Sequence, residues 1–163
     1  MAAVLQLGCG TRPKPGAINH DRVQHSPDVD VAWDLDQLPW PWVDEQFDRV
    51  IALDVMEHLR IDIWQWLAET WRILKPGGLF LLRVPAWNNP NSYRDPTHHD
   101  LRSLWHEETI DYFCPATQLW RDYGRFYPGS ELGRWWERVS VERTNPDERH
   151  GIGALAIVIR KKA

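Results

Sequence analysis

The connection between the first two strand-like segments is the feature that most restricts how this chain can fold. Residues 4–7 form a short apolar segment typical of a buried strand, and residues 17–20 resemble a second strand. Only nine residues lie between them, and two of the nine are prolines, which interrupt a regular helix. A crossover between parallel strands normally takes a dozen or more residues and usually contains a helix. We therefore expect the first crossover helix to be absent.

One strong helical pattern follows. Across residues 62–74 the apolar residues Trp64, Leu67, Trp71 and Leu74 recur three or four positions apart, which predicts one apolar helix face. The Lys-Pro-Gly-Gly sequence that comes next is expected to end this helix, since proline blocks its continuation.

Further strand-like segments surround this helix. Strands that alternate with loops or helices, followed by a final hairpin, indicate an α/β fold with a doubly wound sheet. The expected strands are residues 29–33, 47–53, 79–84, 139–142 and 154–159, with a turn at 145–151 between the last two.

The size and composition of the chain limit its class. A length of 163 residues predicts one domain over residues 1–163, in which residues 85–138 form a substrate-side insertion. The net charge of −4 argues against a nucleic-acid partner, because nucleic-acid binders usually carry a basic surface. We expect no membrane association, because no apolar run approaches a membrane span and no secretory signal is recognisable. Cys9 and Cys114 form no disulfide or metal pattern, so a cytoplasmic location is expected.

Glycines and acids stand where the expected strands end. Gly8 and Gly10 follow the first strand, and Asp21, Asp34 and Asp54 follow later ones. Open α/β sheets bind ligands at the carboxyl ends of their strands, and a carboxylate there can accept the hydroxyl hydrogens of a ribose or an amino hydrogen of adenine. This ordered set predicts a nucleotide-like ligand, although each residue alone could simply make a turn or cap a loop.

Five segments resemble one known family. They read LQLGCG at residues 5–10, GAINHD at 16–21, DLDQLPW at 34–40, FDRVIALDVMEHL at 47–59 and ETWRILKPGG at 69–78. In this order they are similar to the motifs of class I S-adenosylmethionine-dependent methyltransferases. The resemblance covers roughly residues 4–113 and implies a Rossmann-like, mostly parallel sheet with a C-terminal antiparallel strand pair.

The resemblance also implies roles around a bound S-adenosylmethionine. Leu7, Gly8, Cys9 and Gly10 would pass beside its methionine part, and Asp21 would hold the ribose. The adenine would lie against Asp34 and Leu35, and the methionine amino group would face Leu53 and Asp54. Glu57 and His58 either touch the cofactor or are structural. Arg12 or Lys14 could pair with the cofactor carboxylate in place of the missing helix N–H groups.

The polar segment after the strand at 79–84 is expected at the mouth of the cleft. His98 and His99 are candidate general bases, because an imidazole titrates near neutral pH. Tyr93, Asp95 and His106 are candidate substrate-binding residues. A metal site built from Asp95 and the three histidines is not expected, since their spacing matches no familiar zinc motif.

The expected function is transfer of a methyl group from S-adenosylmethionine to an unidentified acceptor, which we expect to be a small polar metabolite or a sugar. One alternative is a binding module that kept the fold without catalysis. A nicotinamide-dependent oxidoreductase is less favoured, because its pyrophosphate needs a helix N-terminus after the glycine turn. The missing crossover helix would leave part of one sheet face bare, so we expect tryptophan-rich segments or a second copy of the chain to cover it.

Overall fold

The computed structural model describes residues 2–89, 104–126, 136–147 and 152–162. Seven strands form one sheet, and short helices connect them. The strands are β1 (Val4–Leu7), β2 (Ile18–Asp21), β3 (Val31–Ala32), β4 (Phe47–Leu53), β5 (Leu74–Pro85), β6 (Trp136–Asp147) and β7 (Ile152–Lys161). The helices are α1 (Ile63–Ile73), α2 (Gln118–Asp122) and three 3₁₀ turns at Met56–His58, Thr109–Phe113 and Gly124–Phe126.

The strand order is β3-β2-β1-β4-β5-β7-β6. Neighbours from β3 to β5 run parallel, while β7 is antiparallel to both β5 and β6. This confirms the predicted Rossmann-like α/β sheet with its C-terminal antiparallel pair. The connection from β1 to β2 contains only turns, so the absence of the first crossover helix is also confirmed.

Helix α1 occupies nearly the predicted range. The side chain of Gln65 accepts the Asp62 N–H at 2.9 Å, which satisfies a donor at the helix start. Its buried residues are Trp66, Leu67, Thr70 and Ile73, whereas Trp64 and Trp71 of the predicted face are only half-buried. The threonine tolerates burial because its hydroxyl donates to the Trp66 carbonyl at 2.7 Å. The buried face is therefore rotated relative to the predicted one.

Several strand ends differ from the predicted ones. Leu74 already pairs with Phe47, so β5 begins directly after α1 and includes the Lys-Pro-Gly-Gly sequence instead of starting at residue 79. Strands β6 and β7 extend beyond the predicted segments because they pair with each other along most of their length. Strand β3 has only two residues instead of five. Of the predicted turn at 145–151, residues 145–147 belong to β6 and 148–151 lie outside the described residues.

Tryptophan side chains fill much of the core on one face of the sheet. Trp40 and Trp42 meet edge to face with ring centroids 6.2 Å apart, and Trp42 meets Phe47 in the same way at 6.1 Å. Trp66 lies against Phe80 at 6.1 Å. Such aromatic pairs add about 0.5–1.5 kcal/mol each beyond the burial of their apolar area.

Two charged residues of α1, Arg72 and Glu69, pair with each other and hold the loop from β3 to β4 against the helix. The Arg72 guanidinium donates to the carbonyls of Trp40 and Trp42 at 3.1 and 2.7 Å and to both carboxylate oxygens of Glu69. Glu69 in turn accepts the Trp40 N–H at 2.7 Å. The indole N–H of Trp40 reaches back to the Leu35 carbonyl at 3.0 Å. These contacts fix the backbone that follows β3.

The expected insertion contributes to the same core where it is described, through Trp105, Ile110 and Phe113. The division of the chain into one domain with an insertion stays a prediction. Within the described part of the chain, no helix is long and apolar enough to cross a membrane.

Candidate functional site

A cleft of about 270 Å³ opens at the carboxyl ends of β1 to β4. Most of its walls come from the segments that directly follow these strands, as expected for an open α/β sheet. Its lining residues are Gly8, His20, Asp21, Arg22, Trp33, Asp34, Leu35, Asp36, Asp54, Val55, His58 and Leu59.

The turn after β1 brings backbone close to this cleft. Gly8 and Gly10 have φ angles of +58° and +52°, which glycine adopts without strain. A Cβ atom added to Gly8 would overlap the side chain of Val55, whereas one added to Gly10 would meet no atom within 4 Å. Gly8 is therefore required by contact as well as by conformation.

Asp21 lies at the end of β2 and accepts two backbone hydrogens. Its Oδ2 accepts the Gly10 N–H at 2.8 Å, and its Oδ1 accepts the Arg22 N–H at 2.7 Å. Burial opposes ionisation of this carboxyl, but these N–H donors outweigh it and lower the pKa of Asp21. The carboxylate is therefore charged at neutral pH, and each oxygen keeps a further lone pair for a ligand.

His20 connects the strand ends behind the cleft. Its Nε2 lies 2.8 Å from the Trp33 carbonyl and must donate to it, so Nδ1 is the acceptor that faces the Gly8 N–H at 3.4 Å. Burial lowers the pKa of His20, which favours this neutral form. Sequence reasoning missed His20, because only the paired strands bring it next to Gly8 and Trp33.

Asp34 and Leu35 line the cleft just beyond β3, which pairs with β2 through Asp21 and Ala32. The Asp34 carboxylate lies 3.3 Å from the guanidinium of Arg22, an exposed side chain. It also accepts the Asp36 N–H at 3.1 Å. The Leu35 carbonyl is held by the Trp40 indole described above. Arg22 and Trp33 directly adjoin residues singled out in the sequence, and this adjacency was the signal that could have identified them.

Asp54 ends β4 in an unusual conformation, with a φ of +57°. Its carboxylate binds the guanidinium of Arg83 through both oxygens, and its N–H donates to the Arg83 carbonyl at 2.9 Å. The hydrogen bonds to Asp54 raise the pKa of Arg83. A cofactor amino group at Asp54 would therefore share this carboxylate with Arg83.

The other expected cofactor residues lie around the cleft without lining it. Leu7 is fully buried in the core and Cys9 is 4% exposed, so they can contribute mainly backbone. Gly10 reaches the cleft through its hydrogen bond to Asp21. Arg12 is exposed on the β1–β2 connection, and the Leu53 side chain is 43% exposed on a sheet face.

Comparisons with known proteins agree with this geometry. A family model described as "Methyltransferase domain" matches residues 9–82, which contain most of the cleft residues. A curated protein of Mycolicibacterium smegmatis, named "Probable S-adenosylmethionine-dependent methyltransferase", is 39% identical over 86 residues. In residues 9–82, which make up less than half of the chain, the sequence is therefore similar to methyltransferase domains. The match covers 52% of this chain but only 32% of that relative, so the chain spans about a third of the relative's length.

Solved structures of methyltransferases and of a cyclase share the fold. A Bacillus halodurans C-125 structure assigned to the methyltransferases covers 99% of this chain and 93% of its own, with TM-score 0.66 and 15% identity. The match to the [4+2]-cyclase SpnF covers 99% of this chain and 75% of the cyclase chain, with TM-score 0.63 and 16% identity. The 1,6-didemethyltoxoflavin-N1-methyltransferase of Burkholderia thailandensis covers 99% and 72%, with TM-score 0.60 and 19% identity. At these identities the likeness concerns the fold alone.

The expected catalytic and substrate-binding residues fall largely outside the described residues. His98, His99, Tyr93 and Asp95 all lie in the segment 90–103. His106 is described and exposed, with its Nε2 3.5 Å from a Glu107 oxygen, and it does not line the cleft. The assignments of a general base and of substrate-binding residues therefore stay predictions.

A group that sequence reasoning did not consider could hold a metal ion by distance alone. Cys9, Asp21 and His25 each place one potential ligand atom within 4.8 Å of the others. Burial, together with the charge of Asp21, raises the pKa of the Cys9 thiol and keeps it protonated, which makes it a poor ligand. Because both Asp21 oxygens also accept backbone hydrogens, the group fits a hydrogen-bonded carboxylate better than a metal site.

Proposed function

We propose that this chain binds S-adenosylmethionine in the cleft and transfers its methyl group to a small polar acceptor, either a metabolite or a sugar. The observation that carries the proposal is Asp21, a charged carboxylate in the cleft wall. Asp34 and Leu35 also line the cleft, at the end of the neighbouring strand β3. Two acceptors so placed suit a ligand with a hydroxyl-bearing ribose next to an amino-bearing base.

The turn after β1 favours this cofactor over a dinucleotide. Residues 8–17 contain no helix, so no helix N-terminus is available there for a pyrophosphate. S-adenosylmethionine has no phosphate, so its binding does not need a helix N-terminus at this position. Its amino acid part would lie near the Gly8 backbone and the Asp54–Arg83 pair, where both a carboxylate acceptor and a cationic donor are available for its charged groups.

In the proposed reaction the protein mainly aligns the acceptor with the methyl group of the cofactor. When bound, the cofactor supplies an electrophilic methyl group on a sulfonium. The rigid turn at Gly8 and the clamped backbone at Leu35 would hold the two ends of the cofactor, which lowers the entropic cost of the transfer. An acceptor hydroxyl or ammonium must also lose a proton, and His98 or His99 would accept it at Nδ1 or Nε2.

The proposed acceptor class rests on the net charge of −4 and on the polar segment after β5. The Burkholderia enzyme, which was solved with 1,6-didemethyltoxoflavin and S-adenosylhomocysteine bound, shows that this fold can serve a small acceptor. A second candidate function is binding or catalysis without methyl transfer. The structural likeness to a [4+2]-cyclase supports this second candidate, because one fold can host different reactions.

Calorimetric titration tests the cofactor assignment. S-adenosylmethionine and S-adenosylhomocysteine should bind, and NAD should not. Asp21→Asn keeps the shape but removes the charge, and a hydrogen bond to a charged group contributes about 1.5–3 kcal/mol, so affinity should fall about 10- to 150-fold. Arg121→Ala, on the exposed surface of α2, is the matched control. Absence of binding, or equal affinity in Asp21→Asn, would contradict the proposal.

A further inference from the structure

Among the residues that the structure describes, none covers the centre of one face of the sheet. Side chains alternate along each strand, and the described helices pack with the buried side chains of the other face. We call the bare side the open face. Its apolar residues are Ile51, Leu53, Leu79, Leu81, Ala156 and Val158, all half-buried or exposed.

Strand register places these residues in adjoining rows. Ile51 pairs with Leu81 and Leu81 with Val158, which gives a continuous apolar row across β4, β5 and β7. The groove along this surface has a volume of about 430 Å³. Its apolar character resembles the patches that mark interaction sites on soluble proteins.

The β1–β2 connection covers only the edge of this face. Gln6, next to Ile51, is 8% exposed, and its side-chain amide donates to the Arg12 carbonyl at 3.1 Å. The tryptophans of the core cluster pack on the other face. In the described part of the chain, the surface from β4 to β6 therefore has no cover.

Charges are distributed unevenly around the apolar rows. Arg49 lies on the β4 side, in the row of Leu79, Arg160 and Glu137. Glu137 and Glu142 lie on the β6 side, and Glu137 binds Arg160 at 3.1 Å. Arg83 also lies on this face, on β5 in the row of Leu53, Ala156 and Glu142, and it binds Asp54. The β4 side therefore carries Arg49, and the β6 side carries two acids, one of which binds Arg160.

We propose that two copies of this chain pack open face to open face. The two-fold axis would run parallel to the strands and pass between β5 and β7. This rotation reverses the lateral strand order, so β4 faces β6 and β5 faces β7 of the other copy. Leu81 then meets Val158, and Arg49 meets Glu137, each contact occurring twice as isologous symmetry requires.

A second copy fits better than an unrelated partner because the face is complementary to itself. The apolar row of Ile51, Leu81 and Val158 crosses the axis, and Arg49 and Glu137 lie at equal lateral distances on its two sides. Aligned packing of two twisted sheets, about 10 Å apart at roughly −30°, is a common arrangement for such faces. The inference does not depend on methyl transfer, since it uses only the sheet and its charges.

Analytical ultracentrifugation over a range of protein concentrations tests the association. The full chain should sediment as a dimer of twice 19.2 kDa and dissociate on dilution. Leu81→Asp places a charge on the axis and should yield a monomer. Circular dichroism and thermal unfolding show whether that variant is folded.

A charge exchange tests the orientation with surface residues that leave the core unchanged. Arg49→Glu and Glu137→Arg should each weaken the dimer at least about tenfold, because like charges then face each other. The double variant should restore the association. Arg121→Glu, on the exposed surface of α2, is the control and should have no effect.

Each result decides the matter. A dimer with restored affinity in the double variant supports the proposal. A monomer at high micromolar concentration would overturn it and would point to another partner or to a further segment of chain. A dimer that is insensitive to Leu81→Asp and to both charge reversals would use another surface and would overturn it equally.

Discussion

Replacement of Arg72 by methionine should destabilise the fold by loosening the loop that supports the cleft. The guanidinium makes five hydrogen bonds, to two loop carbonyls, to both oxygens of Glu69 and to Asp44 at 2.8 Å. Methionine keeps most of the apolar stem but removes every donor. Glu69 would then keep the Trp40 N–H as its remaining partner among these contacts, at 13% side-chain exposure.

The magnitude follows from the contacts that are lost. A hydrogen bond from a charged donor contributes about 1.5–3 kcal/mol, and two such bonds reach loop carbonyls. The Arg72 side chain is 25% exposed, so water recovers part of this loss. We expect a net decrease of about 2–4 kcal/mol in the free energy of unfolding. For a domain of this length that lowers Tm by roughly 5–15 °C.

Urea denaturation followed by tryptophan fluorescence measures this change. Arg72→Lys keeps the charge without the planar fork and should fall between the wild type and Arg72→Met. Asp44→Ala removes an exposed partner and should cost less than about 1 kcal/mol. An Arg72→Met protein whose free energy of unfolding stays within about 0.5 kcal/mol of the wild type would refute the assigned role.

Four further substitutions have definite expected outcomes. Gly10→Ala should cost about 1–2 kcal/mol for its positive φ, and Gly8→Ala clearly more because its Cβ overlaps Val55, as thermal melts would show. His20 has a folded pKa below 6.5, so stability should be lost as pH falls below 6.5, by up to about 1.4 kcal/mol per pH unit; His20→Phe should flatten this slope. Lys161→Met should lower the free energy of unfolding by about 1–3 kcal/mol, because the buried Leu74 carbonyl loses the donor that Lys161 provides at 2.8 Å. Equal urea midpoints for this variant and the wild type would contradict this.

Local sequence patterns predicted β4 and α1 well, because the residues that begin and end these elements are close in the sequence. The bounds of β4 agree at residues 47–53, and α1 begins and ends within a residue of the predicted range. The absence of the first crossover helix followed from the short connection between β1 and β2. The nine residues between the two predicted strands cannot both return along a sheet and form a helix. These features depend on neighbouring residues, so a single sequence contains them.

Features set by distant partners could not be predicted in the same way. Strand β5 starts at Leu74 because Phe47 is available for pairing, and the long β6 depends on β7. In the cleft, the acids Asp21 and Asp34 were predicted from their places after strands. His20 was not, since its role depends on tertiary contacts with the ends of β1 and β3.

The central claim is that Asp21 holds the ribose of S-adenosylmethionine, and a crystal structure with S-adenosylhomocysteine tests it most directly. Density for the ligand should occupy the cleft, with both ribose hydroxyls within hydrogen-bonding distance of the Asp21 carboxylate and the adenine against Asp34 and Leu35. An empty cleft at saturating ligand, or a ligand bound away from Asp21, would contradict the account.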